Sequence, residues 1–192
     1  MESPAPLIWI EADRKPAKYF LNSLKIHNEL FPLAKKVVIT NRKYFELYKN
    51  SKVELIAIES LGTDKYLNKF ESINKKWFAI ENQLIYWTNT TKRFFYLYLY
   101  LKKTKTLKAI HLEGDCILIV TKNVLDKLKS PRKAIYYPRQ SASVGCAEIF
   151  LVNGLEPLEN LLKYINLNWS EPEKTDMTIL GEFLNKSEQA QN

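Results

Sequence analysis

The chain has 192 residues, 46% of them hydrophobic and 12% aromatic, enough to build a sizeable core and too apolar for a disordered segment. Lysines and arginines number 29 against 21 acids, a net charge of +8 that favours nucleotide phosphates, nucleic acid or an acidic membrane surface as partners, although lysines scattered over a solvated surface give the same count. Two cysteines without a CxxC exclude a disulfide framework, no apolar run reaches the ~18 residues of a membrane span, and the five glycines form neither GxGxxG nor a Walker loop. The start, Met1-Glu-Ser-Pro, has no basic n-region, so a signal peptide is not expected and a reduced, cytoplasmic setting is. Any bound phosphate must then be held by metal and side chains rather than by a glycine cradle.

In chain order, residues 7–10 read as a first strand that ends at Glu11-Ala-Asp13. Pro16 suits the first turn of a helix with Asp13 as its cap, and Phe20, Leu24 and Phe31 recur at helical spacing. His27 shares that stripe and reads as packing, not as a ligand. Residues 36–40 and 53–58 are two further strands, the opening of an α/β domain with a mostly parallel sheet. Glu11, Thr40 and Asn41 stand at neighbouring strand ends, where polar groups can hold a base and ribose; turn chemistry explains Asn41 equally well.

Residues 62–75 are polar and read as a loop with a helical turn. Residues 77–87 read as helix, with Thr88 to Thr91 capping a second one. The run Phe94-Phe-Tyr-Leu-Tyr-Leu-Tyr-Leu101 has no readable period, but its length, the threonines and the Lys102-Lys103 ending favour a buried helix. Arg93 at its start is placed to bind phosphate oxygens, to pair with a carboxylate such as Glu113, or to be solvated.

The stretch Ala109-Ile-His-Leu-Glu-Gly-Asp-Cys-Ile-Leu-Ile-Val120 organises the rest. A short apolar strand leads into Glu113 and Asp115, separated by Gly114, where an open α/β sheet binds its ligands. Two carboxylates in an apolar setting are costly without a counter-charge, and a divalent cation holding a phosphate-bearing ligand supplies one. The plainer alternative is a strand end whose acids cap a turn or pair with lysines. A short helix over 123–129, a short strand over 134–137, a small-residue stretch leading into a strand that ends at Val152, and helices over 155–165 and 175–184 complete the pattern.

Four blocks carry a resemblance: Trp87-Thr-Asn-Thr-Thr-Lys-Arg-Phe-Phe, His111-Leu-Glu-Gly-Asp-Cys-Ile-Leu, Ser143-Val-Gly-Cys-Ala and Thr175-Asp-Met-Thr-Ile-Leu. Their order and spacing resemble the GT-A-fold glycosyltransferases, the second block being similar to the acid-x-acid motif of that family. The resemblance implies a Rossmann-like GT-A fold, with a mostly parallel mixed sheet flanked by helices, in one domain over residues 1–186 with a frayed tail over 187–192. It also implies transfer of a sugar from a nucleoside-diphosphate sugar donor to a glycan or lipid-linked acceptor, with Mn²⁺ or Mg²⁺ bridging the donor diphosphate. Asp115 would hold the metal directly, and Glu113 would hold it through water or bind ribose. Arg93 would face the diphosphate, Gly145 and Cys146 would line the donor sugar, and Asp176 would be either the catalytic base or a helix cap. The motif departs from the family in opening with Glu rather than Asp, and the chain stops soon after Asp176, as a fragment, a minimal variant or an inactive relative would.

Two other readings stay open. One is a non-catalytic glycosyltransferase-like domain that packs against a partner. The other is a nucleic-acid binder, which the clustering of aromatics in an expected core helix disfavours, so no nucleic acid is expected. The basic surface adds an expected peripheral contact at the inner face of a membrane.

Overall fold

The computed structural model describes residues 5–75, 82–119, 129–169 and 174–189. A six-stranded sheet has the order β3-β2-β1-β4-β8-β5, from β1 (Leu7–Glu11), β2 (Lys36–Thr40), β3 (Glu54–Ala57), β4 (Lys108–Leu112), β5 (Ala134–Tyr136) and β8 (Ile149–Asn153). β1 to β4 run parallel, and β8 is antiparallel to both of its neighbours, β4 and β5. β6 (Arg139–Ser141) and β7 (Val144–Gly145) form a separate hairpin. The order reverses at β1, with β2 on one side and β4 on the other. That is the switch point where such sheets leave a crevice beyond the carboxyl ends of their strands.

Strand alternation sorts the two faces. Leu7 and Trp9 point to α1 (Lys18–Leu30), where they pack with Phe20, Leu24, Val38 and Leu112. Ile8 and Ile10 point to the other face, under α2 (Lys65–Lys75), α3 (Asn82–Thr104) and α4 (Leu155–Asn168). α5 (Asp176–Gln189) closes over the β6–β7 hairpin, and a Cβ on Gly181 would lie 2.2 Å from Ser143 O. The buried aromatic run is helical as expected: Phe94 to Leu101 are all buried. The register Leu7↔Ile110, Ile8↔His111, Trp9↔Leu112 brings the end of β1 beside the acidic motif that follows β4.

Three local expectations change. α1 starts at Lys18 rather than Pro16, and Ala17 precedes it without a side-chain cap. Residues 65–75 are a full helix, because Asp64 accepts the N–H groups of Tyr66 and Leu67 at 3.0 Å each and Tyr66, Leu67 and Phe70 face inward. Thr88 to Thr91 do not start a new helix: Thr88 Oγ1 bonds to Asn74 Oδ1 at 3.0 Å and Thr90 Oγ1 bonds back to Trp87 O at 2.9 Å. Both hydroxyls are spent inside or beside the helix, so it runs on unbroken. Residues 77–81 of the helix expected over 77–87, and the helix expected over 123–129 apart from Lys129, lie outside the described residues.

Candidate functional site

The strand ends at the switch point are held by polar side chains. Thr40 Oγ1 donates to Glu11 O at 2.9 Å, and Asn41 Oδ1 accepts the Asp13 N–H at 2.7 Å. Those bonds hold Asp13 in the left-handed region at φ 58°, a conformation that costs a non-glycine residue energy and is found where the surroundings over-determine it. Glu11 is buried and takes both Nε (2.6 Å) and Nη2 (2.9 Å) of Arg14, a bidentate pair that raises the guanidinium's proton affinity. Gly114 packs closely beside it: a Cβ there would lie 3.0 Å from Glu11 Oε1 and from the Phe20 ring, so those side chains would have to give way.

A cleft of about 290 Å³ opens between this end of β1 and the first half of α3, lined by Ile10, Asp13, Arg14, Tyr86, Asn89 and Arg93 among others. Its volume is at the small end of small-molecule sites. Arg93 continues inward from the cleft and contacts both Glu113 and Asp176 through its two terminal nitrogens. Arg93 and Asp176 are 7% and 2% exposed, so their charges compensate one another with little water between them. Burial raises the proton affinity of Glu113, against the lowering effect of Arg93. Arg93 Nε is left without a partner. So is Nε2 of the neighbouring His111, whose Nδ1 donates to Ile8 O at 3.1 Å. Burial, reinforced by the positive charge of Arg93, pushes the His111 imidazole down to about 3, so it is neutral.

Thr175 caps α5, accepting the Thr178 N–H on Oγ1 at 3.2 Å while Thr178 Oγ1 accepts the Thr175 N–H at 3.0 Å; Asp176, the first residue of the helix, accepts the Met177 N–H on Oδ1 at 2.9 Å. That arrangement leaves Asp176 Oδ2 to Arg93. On the far side of Glu113, its N–H donates to Glu148 O at 2.9 Å. Cys116 Sγ lies 3.9 Å from Asp115 Oδ1 and 3.8 Å from Glu148 Oε2. Burial and the surrounding carboxylates push its thiol up to about 12, and burial also raises that of Cys146. Gly145 is buried, and a Cβ there would meet Leu180 at 2.7 Å and Tyr137 at 2.8 Å, so its smallness admits α5.

The structure thus brings Glu113, Arg93 and Asp176 into one contact group, sets exposed Asp115 at its rim, and places Glu11, Thr40 and Asn41 as braces of the β1 end. Arg14, Asp13, Tyr86 and Asn89 were not singled out as ligand contacts from sequence, although an arginine three positions after a strand-end Glu was a readable signal. Among the described residues no three His, Cys, Asp or Glu converge as a metal-binding group. Two carboxylates with a substrate diphosphate do suit Mg²⁺ or Mn²⁺, which are commonly held by one or two acids plus phosphate oxygens and water. No helix among the described residues is long and apolar enough to cross a membrane.

No protein-family model matches the chain. No curated protein matches it either. Among solved structures it is similar to the PaToxG glycosyltransferase, with a TM-score of 0.59 and 13% identity over 95% of this chain and 69% of that one. At that identity the likeness concerns the fold: a Rossmann-like, glycosyltransferase-like α/β architecture.

Proposed function

We propose that the chain is a metal-dependent glycosyltransferase of the GT-A type, moving a sugar from a nucleoside-diphosphate sugar to a glycan or lipid-linked acceptor. The observation that carries this reading is Arg93: one guanidinium lines the cleft and touches the acid that opens the motif after β4. The glycosyltransferase-like fold supports it. Base and ribose would lie between Asp13, Tyr86 and Asn89, braced from behind by Glu11, Thr40 and Asn41. The diphosphate would extend towards Arg14 and Arg93. Asp115 and Glu113 would hold Mn²⁺ or Mg²⁺, with the diphosphate completing the ligand set, and the ion would neutralise charge on the leaving nucleoside diphosphate. Cys146 and the backbone of Gly145 would border the donor sugar. Asp176 would serve as base only after parting from Arg93, so its first duty is to hold that arginine.

The test is a thermal shift with UDP, GDP, CDP and CMP, each with and without Mn²⁺. Saturation at a hundred times Kd adds about 2.7 kcal/mol to stability. A rise for one nucleotide that needs Mn²⁺ and vanishes in Asp115→Ala is expected, with the melting temperature of the free variant unchanged because Asp115 is exposed. A second reading, a non-catalytic interaction domain, is favoured by the closure of Glu113 and Asp176 onto Arg93, and silence with every nucleotide would select it.

A further inference from the structure

Ten large apolar side chains are exposed among the described residues, and six of them gather around α1: Tyr19, Ile26, Leu30, Leu33, Ile117 and Ile119. Tyr19, Ile26 and Leu30 recur at whole-turn spacing and share one side of the helix, and Leu33 follows in the turn after it. The segment behind Asp115 is fastened alongside. Ser23 Oγ donates to Cys116 O at 3.1 Å, and the Leu118 N–H donates to His27 Nε2 at 3.1 Å. Leu118 is thereby turned inward, at 2% exposed, and its neighbours Ile117 and Ile119 are left outward, at 48% and 78%. Single exposed apolar residues are ordinary, but a contiguous group marks a surface that meets something.

The outer side of α1 carries Lys18 and Lys25, both exposed and without an ion-pair partner among the described residues, against one exposed acid, Glu29, a turn after Lys25. Lys25 also borders a groove shared with Lys52, while Lys35 there is paired with Glu54 at 2.8 Å. We propose that this face docks the chain onto an anionic lipid bilayer, its apolar side chains at headgroup depth and its lysines against lipid phosphates. Charge decides the occupant. Unpaired lysines rimming an apolar patch complement a negative headgroup layer, whereas two copies meeting face to face would set like charges against each other. Ile117 follows Asp115 closely in the chain, so docking through this face would bring the candidate site near the membrane surface. The inference needs no nucleotide and stands apart from the reading above.

The full chain is sedimented with phosphatidylcholine vesicles and with phosphatidylcholine–phosphatidylglycerol vesicles, at low and at high salt. Pelleting with the anionic vesicles alone, fading as salt rises, is the expected result. Lys18→Ala with Lys25→Ala should weaken it roughly thirtyfold. Leu30→Asp with Leu33→Asp should weaken it as well, with the melting transition unchanged. Leu33→Asp alone, at a side chain 89% exposed, keeps the test usable if the double variant misfolds. Equal pelleting with both vesicle types, or with neither, overturns the proposal. So does a dimer at sedimentation equilibrium that Leu33→Asp dissociates, which would give the face to a second copy. The nucleotide response is read separately in each variant, so its absence leaves this result standing.

Discussion

The two halves of α3 are built from similar residues and used in opposite ways. From Phe94 to Leu101 no side chain is more than 7% exposed, because helices α2 and α4 and the sheet enclose that half on all sides. Phe95 meets Phe70 at 4.8 Å between ring centroids, and Phe94 meets Phe150 at 5.2 Å. The earlier half reaches beyond the strand ends, where the sheet no longer covers it; Tyr86 is 55% exposed and lines the cleft with Asn89 and Thr90. A helix can therefore be core at one end and cleft wall at the other without a break in its backbone. What changes is the neighbour, not the helix.

Arg93 sits at the boundary, and removing it is the largest break available. Arg93→Met keeps the stem and deletes the charge, leaving Asp176 buried and both acids unpaired. Losing one partner of a buried ion pair costs about 3–5 kcal/mol. Urea unfolding should show that loss, and adding Asp176→Asn should return part of it by coupling. Additive effects in the double-variant cycle would mean that the contact does not organise this end of α3.

Acid should loosen the strand-end region next. His111 is held neutral with a proton affinity lowered to about 3, and His27 is lowered too because burial disfavours its charged form. His27 must stay neutral to accept the Leu118 N–H. Unfolded histidines protonate near 6.5. Between that value and the folded one, the unfolded chain binds more protons, so stability falls as pH falls. The loss is about 1.4 kcal/mol per pH unit for each histidine within its own window. Glu113 acts the other way: its raised proton affinity recovers stability as pH falls through the interval above 4.5. With two histidines against one acid, the net trend between pH 6.5 and 4.5 is loss, and His111→Gln should flatten the urea midpoint over that interval. An unchanged slope would place the His111 titration elsewhere.

How much of this was legible depended on whether the signal was local. β2 matches its expected residues 36–40 because Lys36-Val-Val-Ile-Thr40 is apolar between polar flanks. α2 was not, because its inward residues Tyr66, Leu67 and Phe70 are outnumbered by lysines and polar groups on the other face. The threonines before Arg93 looked like caps in sequence, and only the tertiary partner Asn74 shows why Thr88 does not act as one. The Arg93–Glu113 contact was one of the alternatives the sequence left open. The Arg93–Asp176 contact joins residues 83 apart, and no spacing rule reaches that far. Gly145 read as part of a small-residue stretch and Gly181 as one more helix position, yet both are fixed by the fit of α5 on the β6–β7 hairpin, which sequence spacing does not encode.

The smallest stability effect should be the most informative about the cleft. Asn89 lines it beside Arg93, one helical turn earlier, and is only half-buried. Away from packed and charged features, such a substitution stays within about 0.5 kcal/mol, so Asn89→Ala should unfold in urea much as the parent does. If the first half of α3 is a ligand wall, the same change should still reduce the Mn²⁺-dependent nucleotide shift, because a side chain that does little for the fold can hold a ligand's polar edge. Phe95→Ala is the mirror case: it should cost about 3–5 kcal/mol while the shift on nucleotide addition survives. Crossed outcomes, in which Asn89 matters to the fold or Phe95 to the ligand, would mean that cover by neighbouring elements does not set the division of labour along this helix.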